Sequence, residues 1–245
     1  MSVDSLGDRM KTYEAVSRGS LTRRSPVIVR VDGKAFHTWT RGLEKPFDAR
    51  LVSWMREATE ATALAMQGCA LSYTQSDEAS FLLTDWSREE TQPWLGYVTA
   101  KVVSLAAAMF SVYFNRAVGL PSHRPNNPAI FDARAFNVPE PDVANYVLWR
   151  AKDARRNSIQ GLGQAHFSPK QLHEKSLDDI LAMLTYKDVI WNWLAPELRH
   201  GSFFLPAVGE WVSEVEPRYE DVAALVVRAI DAETAVHGPG VAGPP

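Results

Sequence analysis

Hydrophobic positions change period along the chain, and each change marks an element. Val27-Ile28-Val29-Arg30-Val31-Asp32 is a β-branched run that reads as a buried strand. After the turn-rich segment 40–47, Asp48 reads as an N-cap. Leu51, Val52, Met55, Thr59, Thr62 and Met66 follow at helical spacing, and Gly68 stops the helix. Cys69–Thr74 and Ala79–Thr84 read as strands around the turn Gln75-Ser76-Asp77-Glu78. Thr91-Gln92-Pro93 opens a long helix to about Phe114, with proline in its first turn. Ala129–Asn137 reads as a strand after the Pro/Asn-rich loop 121–128. Pro139–Asp142 starts a helix with the apolar stripe Val143, Tyr146, Val147, Ala151 and Ala154. From Phe167 the pattern is less regular, with Ser168-Pro169 and Ser176 as helix starts.

The order β–α–β–β–α–β through residue 137 predicts an α+β fold of split βαβ, ferredoxin-like plan, its antiparallel sheet covered by helices on one face. The expected organisation is a catalytic core over 1–140, a helical or irregular region over 141–237 packed on it, and a disordered tail over 238–245. In that plan the first strand and the hairpin are neighbours. Asp32, 45 positions before Asp77, would then face Asp77 and Glu78.

Composition narrows the function. The 245 residues are 46% hydrophobic and 22% charged, an ordinary globular balance. The longest apolar run, Val102–Phe110, is too short to span a bilayer, so no membrane association is expected. The start Met1-Ser2-Val3-Asp4 shows no secretory signal. The single cysteine, Cys69, leaves no internal disulfide and reads as a small buried hydrophobe. These features read as cytoplasmic. Net charge is −3, so binding an anionic polymer needs local basic patches. Two are present: Arg18, Arg23, Arg24 and Arg30, and Lys152, Arg155 and Arg156. Either could be a solvated face.

Three carboxylates at a strand end and a hairpin tip fit magnesium-dependent phosphoryl transfer. Magnesium keeps several waters, so one or two carboxylates plus substrate phosphates hold it. Asp32-Gly33 alone reads as a turn, and Asp77-Glu78 alone as a solvated tip. Jointly they favour a metal site, with Ser76 as turn former or phosphate ligand. Lys101, in an apolar helix, is a snorkelling lysine or a charge for a triphosphate. Arg150, Asp153 and Asn157 form one polar stripe, solvated or in contact with nucleotide or RNA. His37 either contacts phosphate or packs. No P-loop and no dinucleotide fingerprint occurs.

At these residues the chain resembles the tRNA-His guanylyltransferase family, including its guanylyltransferase-like, 3′–5′ polymerase branch. The matching words are Arg30-Val31-Asp32-Gly33-Lys34-Ala35-Phe36-His37, Lys45-Pro46-Phe47-Asp48 and Tyr73-Thr74-Gln75-Ser76-Asp77-Glu78. Phe131-Asp132-Ala133-Arg134 and the segment from Trp149 to Ser158 complete them, and Phe167–Ser176 also fits. The resemblance implies a polymerase-palm-like domain that adds nucleotides to a tRNA 5′ end, 3′→5′, after activation with ATP and usually with GTP. It implies two Mg2+ ions on Asp32, the Gly33 carbonyl and Asp77, with Glu78 as a supporting catalytic acid. It places nucleotide at Gly33, Lys34, Ala35, Phe36, His37, Lys45, Asp48, Ser76 and Lys101. The basic cluster and polar stripe of the helix after Pro139–Asp142 put the RNA contacts at Arg150, Lys152, Arg155, Arg156 and Asn157, and the resemblance implies a homotetramer. Eukaryotic members carry His-Ile-Asn-Asn where this chain has Arg155-Arg156-Asn157-Ser158. The missing histidine points to 5′-end repair of truncated tRNA beside tRNA-His maturation. Competing readings are a palm-fold nucleotidyl cyclase and a non-catalytic RNA-binding module.

Overall fold

The computed structural model describes residues 5–16, 18–119 and 126–236. Its elements in chain order are α1 (Leu6–Ala15), β1 (Val27–Gly33), α2 (Phe36–Trp39), α3 (Ala49–Ala65), β2 (Cys69–Gln75), β3 (Glu78–Leu83), α4 (Thr99–Val118) and β4 (Phe131–Asn137). The remainder are α5 (Val143–His166), α6 (Pro169–Leu172), α7 (Leu177–Thr185), α8 (Pro196–His200), β5 (Ser202–Leu205), β6 (Glu210–Val212) and α9 (Tyr219–Val236).

The strands form one antiparallel sheet in the order β4-β1-β3-β2-β5-β6. The first four strands give the expected split βαβ arrangement. Alternation along β1 sends Val27, Val29 and Val31 to one face, where they join Phe81 and the apolar stripes of α3 and α4. Ile28 goes to the other face, with Leu71, Tyr73 and Leu82, under α5 and α9. Both faces are therefore covered, not one. The second cover comes from α5, whose apolar stripe the sequence marks, and from α9 in the less regular stretch after Phe167, which also supplies β5 and β6. SFFL in β5 is a short continuous apolar run, so it carries no alternation to read. The first half of α5 packs on the sheet, while Ile159 and Leu162 in its second half pack on Ile180 and Leu184 of α7. One helix thus crosses from the sheet to the small C-terminal core.

Several ends moved. Asp48 does cap α3, accepting from the Arg50 amide at 2.9 Å. Ser168 and Ser176 both start helices through capping boxes. The long helix begins at Thr99, not Thr91, because Leu95, Gly96 and Tyr97 all have positive φ. Ala129 stays outside the sheet: the Asn115 side chain takes its amide and its carbonyl, at 2.9 and 2.7 Å. Cys69 is buried, as its sequence setting implied. Most of the loop expected over 121–128, and the tail over 238–245, lie outside the described residues.

Candidate active site

β1 ends in Asp32 and Gly33, and the β2–β3 hairpin leaves Ser76 and Asp77 as its two-residue loop. The register places Asp32 opposite Glu78 on β3 and opposite Asp132 on β4. The Gly33 amide donates to the Asp77 carbonyl at 3.0 Å, which latches the hairpin tip to the end of β1. A Cβ on Gly33 would stand 2.4 Å from the Phe36 ring and 3.1 Å from Asp77 Oδ2. Glycine is what lets the Asp77 carboxylate lie over this strand end. Burial, then the charge of Asp32, pushes the Asp77 carboxyl above its usual value.

Glu78 has a different setting. The Arg150 guanidinium donates to both of its oxygens, at 2.7 and 2.8 Å, and Arg30 pairs with Oε2 at 2.5 Å. Arg30 also reaches Asp32 Oδ2 at 2.8 Å. Both Glu78 oxygens are engaged by guanidinium groups, which it anchors. Arg150 is correspondingly not at the surface: it is 4% exposed and points inward. Burial opposes its charge, and the Glu78 carboxylate outweighs that and raises its pKa.

Beside Asp77 lies a cavity of about 380 Å3, within the usual range for small-ligand sites. Thr74–Asp77 form one wall. The segment before and into α3 supplies Phe36, His37, Lys45, Asp48 and the apolar Leu43, Phe47 and Leu51. Asn157, Ser158 and Gly161 of α5 close it, with Glu197 of α8. Five of the nine nucleotide residues read from sequence therefore line one space: Phe36, His37, Lys45, Asp48 and Ser76. Asp48 is committed elsewhere, since Arg50 and the Glu44 amide occupy both of its oxygens. Gly33, Lys34 and Ala35 sit in the turn leading to the cavity, with Ala35 at φ 51°.

Lys101 is not brought there. Phe110 and Phe114 of α4 pack on Phe131 beside the site, at 4.7 and 5.1 Å. Lys101 precedes Phe110 by nine residues, about 14 Å along the axis, and is exposed. On α5, Lys152, Arg156 and Asn157 are exposed, and Arg155 is half-buried with its guanidinium 5.2 Å above the Trp191 ring. Arg156 pairs with Asp153. The N-terminal basic patch is dispersed: Arg23 and the Arg24 amide are tied to Asp85, and Arg30 belongs to the site.

Among the described residues, no three His, Cys, Asp or Glu side chains gather as a ready metal cage. The donor set still fits a hard divalent cation. Two carboxylates converge, and one of them is held protonation-prone by burial and by the other's charge, a cost that a cation relieves. Sequence reasoning missed Arg30 as a site residue, although alternation along β1 puts it on the Asp32 face. It also left Asp132 and Glu197 unassigned, because their placement depends on strand register and on α8.

An antiparallel sheet with paired acids at the meeting of β1 and a hairpin tip, beside a ligand-sized cavity, is a polymerase-palm-like nucleotidyltransferase arrangement. Residues 7–139 match the family described as tRNAHis guanylyltransferase. A bacterial tRNAHis guanylyltransferase-like protein in complex with ATP superposes with TM-score 0.77 at 40% identity, covering 81% of this chain and 86% of that one. One in complex with GTP gives TM-score 0.75 at 32% identity, covering 93% and 99%. The tRNA(His) guanylyltransferase of Schizosaccharomyces pombe is 30% identical over 157 residues, 61% of this chain and 56% of that protein. Matches span about half the length of several curated relatives. The chain belongs to the tRNAHis guanylyltransferase family, and its fold is the palm-like fold of that family.

Proposed function

We propose that the protein adds nucleotides to the 5′ end of tRNA in the 3′→5′ direction, with GTP as a nucleotide donor and ATP for activation. The observation that carries this reading is the meeting of Asp32 with Asp77, which lines the cavity together with Lys45 and Ser76. In the activation step a 5′-phosphate oxygen attacks the α-phosphorus of ATP, and pyrophosphate leaves. In the transfer step the 3′-hydroxyl of the incoming nucleotide attacks the activated 5′-phosphorus, AMP leaves, and the hydroxyl proton passes to water. Lys45 and Ser76 bind phosphate oxygens, the lysine as a point charge. Leu43, Phe47 and Leu51 exclude water around the base. Asp32, Asp77 and the Gly33 carbonyl would hold two Mg2+ ions, which supply Lewis-acid stabilisation of the attacking and leaving oxygens.

The outer face of α5 meets the RNA. Lys152 and Arg156 contact phosphates, which position a nucleic acid without reading its sequence. Substrates then include 5′-truncated tRNAs as well as tRNA-His, and the working form is a homotetramer. The test is incubation with 5′-monophosphorylated full-length and truncated tRNAs, ATP, GTP and magnesium. Extension at the 5′ end is expected. A cyclic nucleotide product would instead make the protein a cyclase, and magnesium-independent binding without product would make it an RNA-binding module.

A further inference from the structure

A row of alternating charges begins at Asp32 and ends on the solvent face of α5. In order it runs Asp32, Arg30, Glu78, Arg150, Asp153, Arg156. The first four links measure 2.8 Å, 2.5 Å, 2.7 Å and 2.9 Å, and Asp153 closes the row with Arg156. The side chains of Glu78 and Arg150 are 4% and 5% exposed, and Arg30 is 17% exposed. The Asn157 amide reaches the same Asp153 carboxylate at 3.5 Å and lines the cavity.

This row is poorly explained by folding alone. A buried ion network contributes little over well-packed apolar residues of the same volume. The Arg30 Nε is buried with no partner, so the guanidinium is not satisfied as a purely structural group would be. Its placement has another logic. Asp32 stands at a strand end, partly exposed, and Arg30 engages its Oδ2. Arg30 is long and flexible, and Glu78 fixes its head. Glu78 is in turn fixed by the two-point fork of Arg150. The fork comes from α5, the helix that carries Lys152, Arg156 and Asn157.

We propose that Arg30 and Arg150 are positioning residues for Asp32, held together by the Glu78 carboxylate, so that the RNA-facing helix and the Asp32 carboxylate share one row of ion pairs. The inference rests on the reading of Asp32 as a catalytic carboxylate and α5 as the RNA face. It gives Glu78 the role of anchor. It also removes Arg150 from the groups that touch RNA.

The test uses the full chain with Arg150→Lys and, separately, Arg30→Lys. Lysine at 150 keeps the charge but lacks the fork that holds Glu78 at two points, and lysine at 30, with its shorter reach, cannot place its one nitrogen on both Asp32 and Glu78 as the Arg30 guanidinium does. Three quantities are read: the single-turnover rate at saturating tRNA, the tRNA Kd, and Mn2+ affinity by electron paramagnetic resonance. Each variant is expected to lose about tenfold in rate and about tenfold in Mn2+ affinity, as for groups that orient a metal ligand. The tRNA Kd should stay within about twofold, since a buried group makes no phosphate contact. A retained rate at saturating tRNA, or a raised Kd with unchanged Mn2+ affinity, overturns the proposal. If Arg150→Lys does not fold, Arg30→Lys decides alone. If the wild-type chain extends no tRNA, the catalytic reading fails. The Mn2+ shift then still decides positioning, and a wild-type chain that binds no Mn2+ ends both readings.

Discussion

The amide of Gly33 donates to the carbonyl of Asp77 at 3.0 Å, so the end of β1 and the hairpin tip behave as one rigid unit. A methyl group at position 33 would meet the Phe36 ring at 2.4 and 2.7 Å and press on the Asp77 carboxylate. Gly33→Ala is expected to cost ~1–3 kcal/mol of stability, as overpacking does, and to lower nucleotide addition further than it lowers the folded fraction. Urea titration beside a single-turnover assay measures both. Unchanged values would mean that Phe36 moves aside freely.

Asp77 carries a stability cost. Its pKa is raised in the fold by burial and by Asp32, so the native state holds the proton longer than the unfolded chain does. Metal-free stability should therefore fall as pH rises from the ordinary carboxylate value through the raised one. Asp77→Asn should remove that dependence and gain about 0.5–2 kcal/mol at neutral pH, while abolishing nucleotide addition. Thermal unfolding in chelator across pH 3–8 reads the sign, and a less stable variant at pH 7 would contradict it.

Asp48 has the opposite linkage. The Arg50 side chain holds its carboxyl well below the usual range, and it also caps α3. Asp48→Ala is expected to cost ~1–2 kcal/mol, as losing a cap does. The stability from a depressed carboxylate is present above the ordinary value of 3.8 and lost as pH falls below it. The difference between variant and wild type should thus be full at pH 7 and shrink in acid. A constant difference down to pH 2 would separate the effect from this ion pair.

Lys45 lines the cavity together with Ser76 and Asp77, where its ammonium can meet a phosphate. Lys45→Ala is expected to raise KM for the nucleoside triphosphate about tenfold or more, the size of a lost charged hydrogen bond. The tRNA Kd should be unaffected. Steady-state kinetics with each substrate varied separates the two, and a selective loss of tRNA binding would place Lys45 on the RNA path.

The sequence exposed what local chemistry controls. The β-branched run into Asp32, the cap at Asp48 and the hairpin around Ser76 and Asp77 each carry a short-range signal. The adjacency of Asp32 to the hairpin was legible because a split βαβ order leaves few alternatives. Three features were not. β5 and β6 are four and three residues long, below the length at which alternation is readable. The unwinding at Leu95–Tyr97 has no sequence mark beyond one glycine. The inward turn of Arg150 depends on a partner 72 positions away, while its helical stripe alone matched an exposed face. Lys101 lies on the apolar helix as its spacing indicates, but nine residues of that helix separate it from Phe110, which packs beside the site.

β2, which leads into the hairpin, is bonded on one side to β3 and on the other to β5, and β5 is backed by β6. A loop at the free margin of a sheet can swing, whereas one seated between paired neighbours cannot without breaking ladders on both sides. In the proposed reaction, the carboxylate at this tip is therefore a fixed reference point. Under that proposal, accommodation of nucleotides of different size, and of successive steps with different leaving groups, falls to the opposite wall, residues 36–48. That wall is held by one helical turn and by the capping carboxylate of Asp48, with no strand pairing of its own. Variation in nucleotide preference among relatives of this chain should map to that wall and leave the hairpin side unchanged.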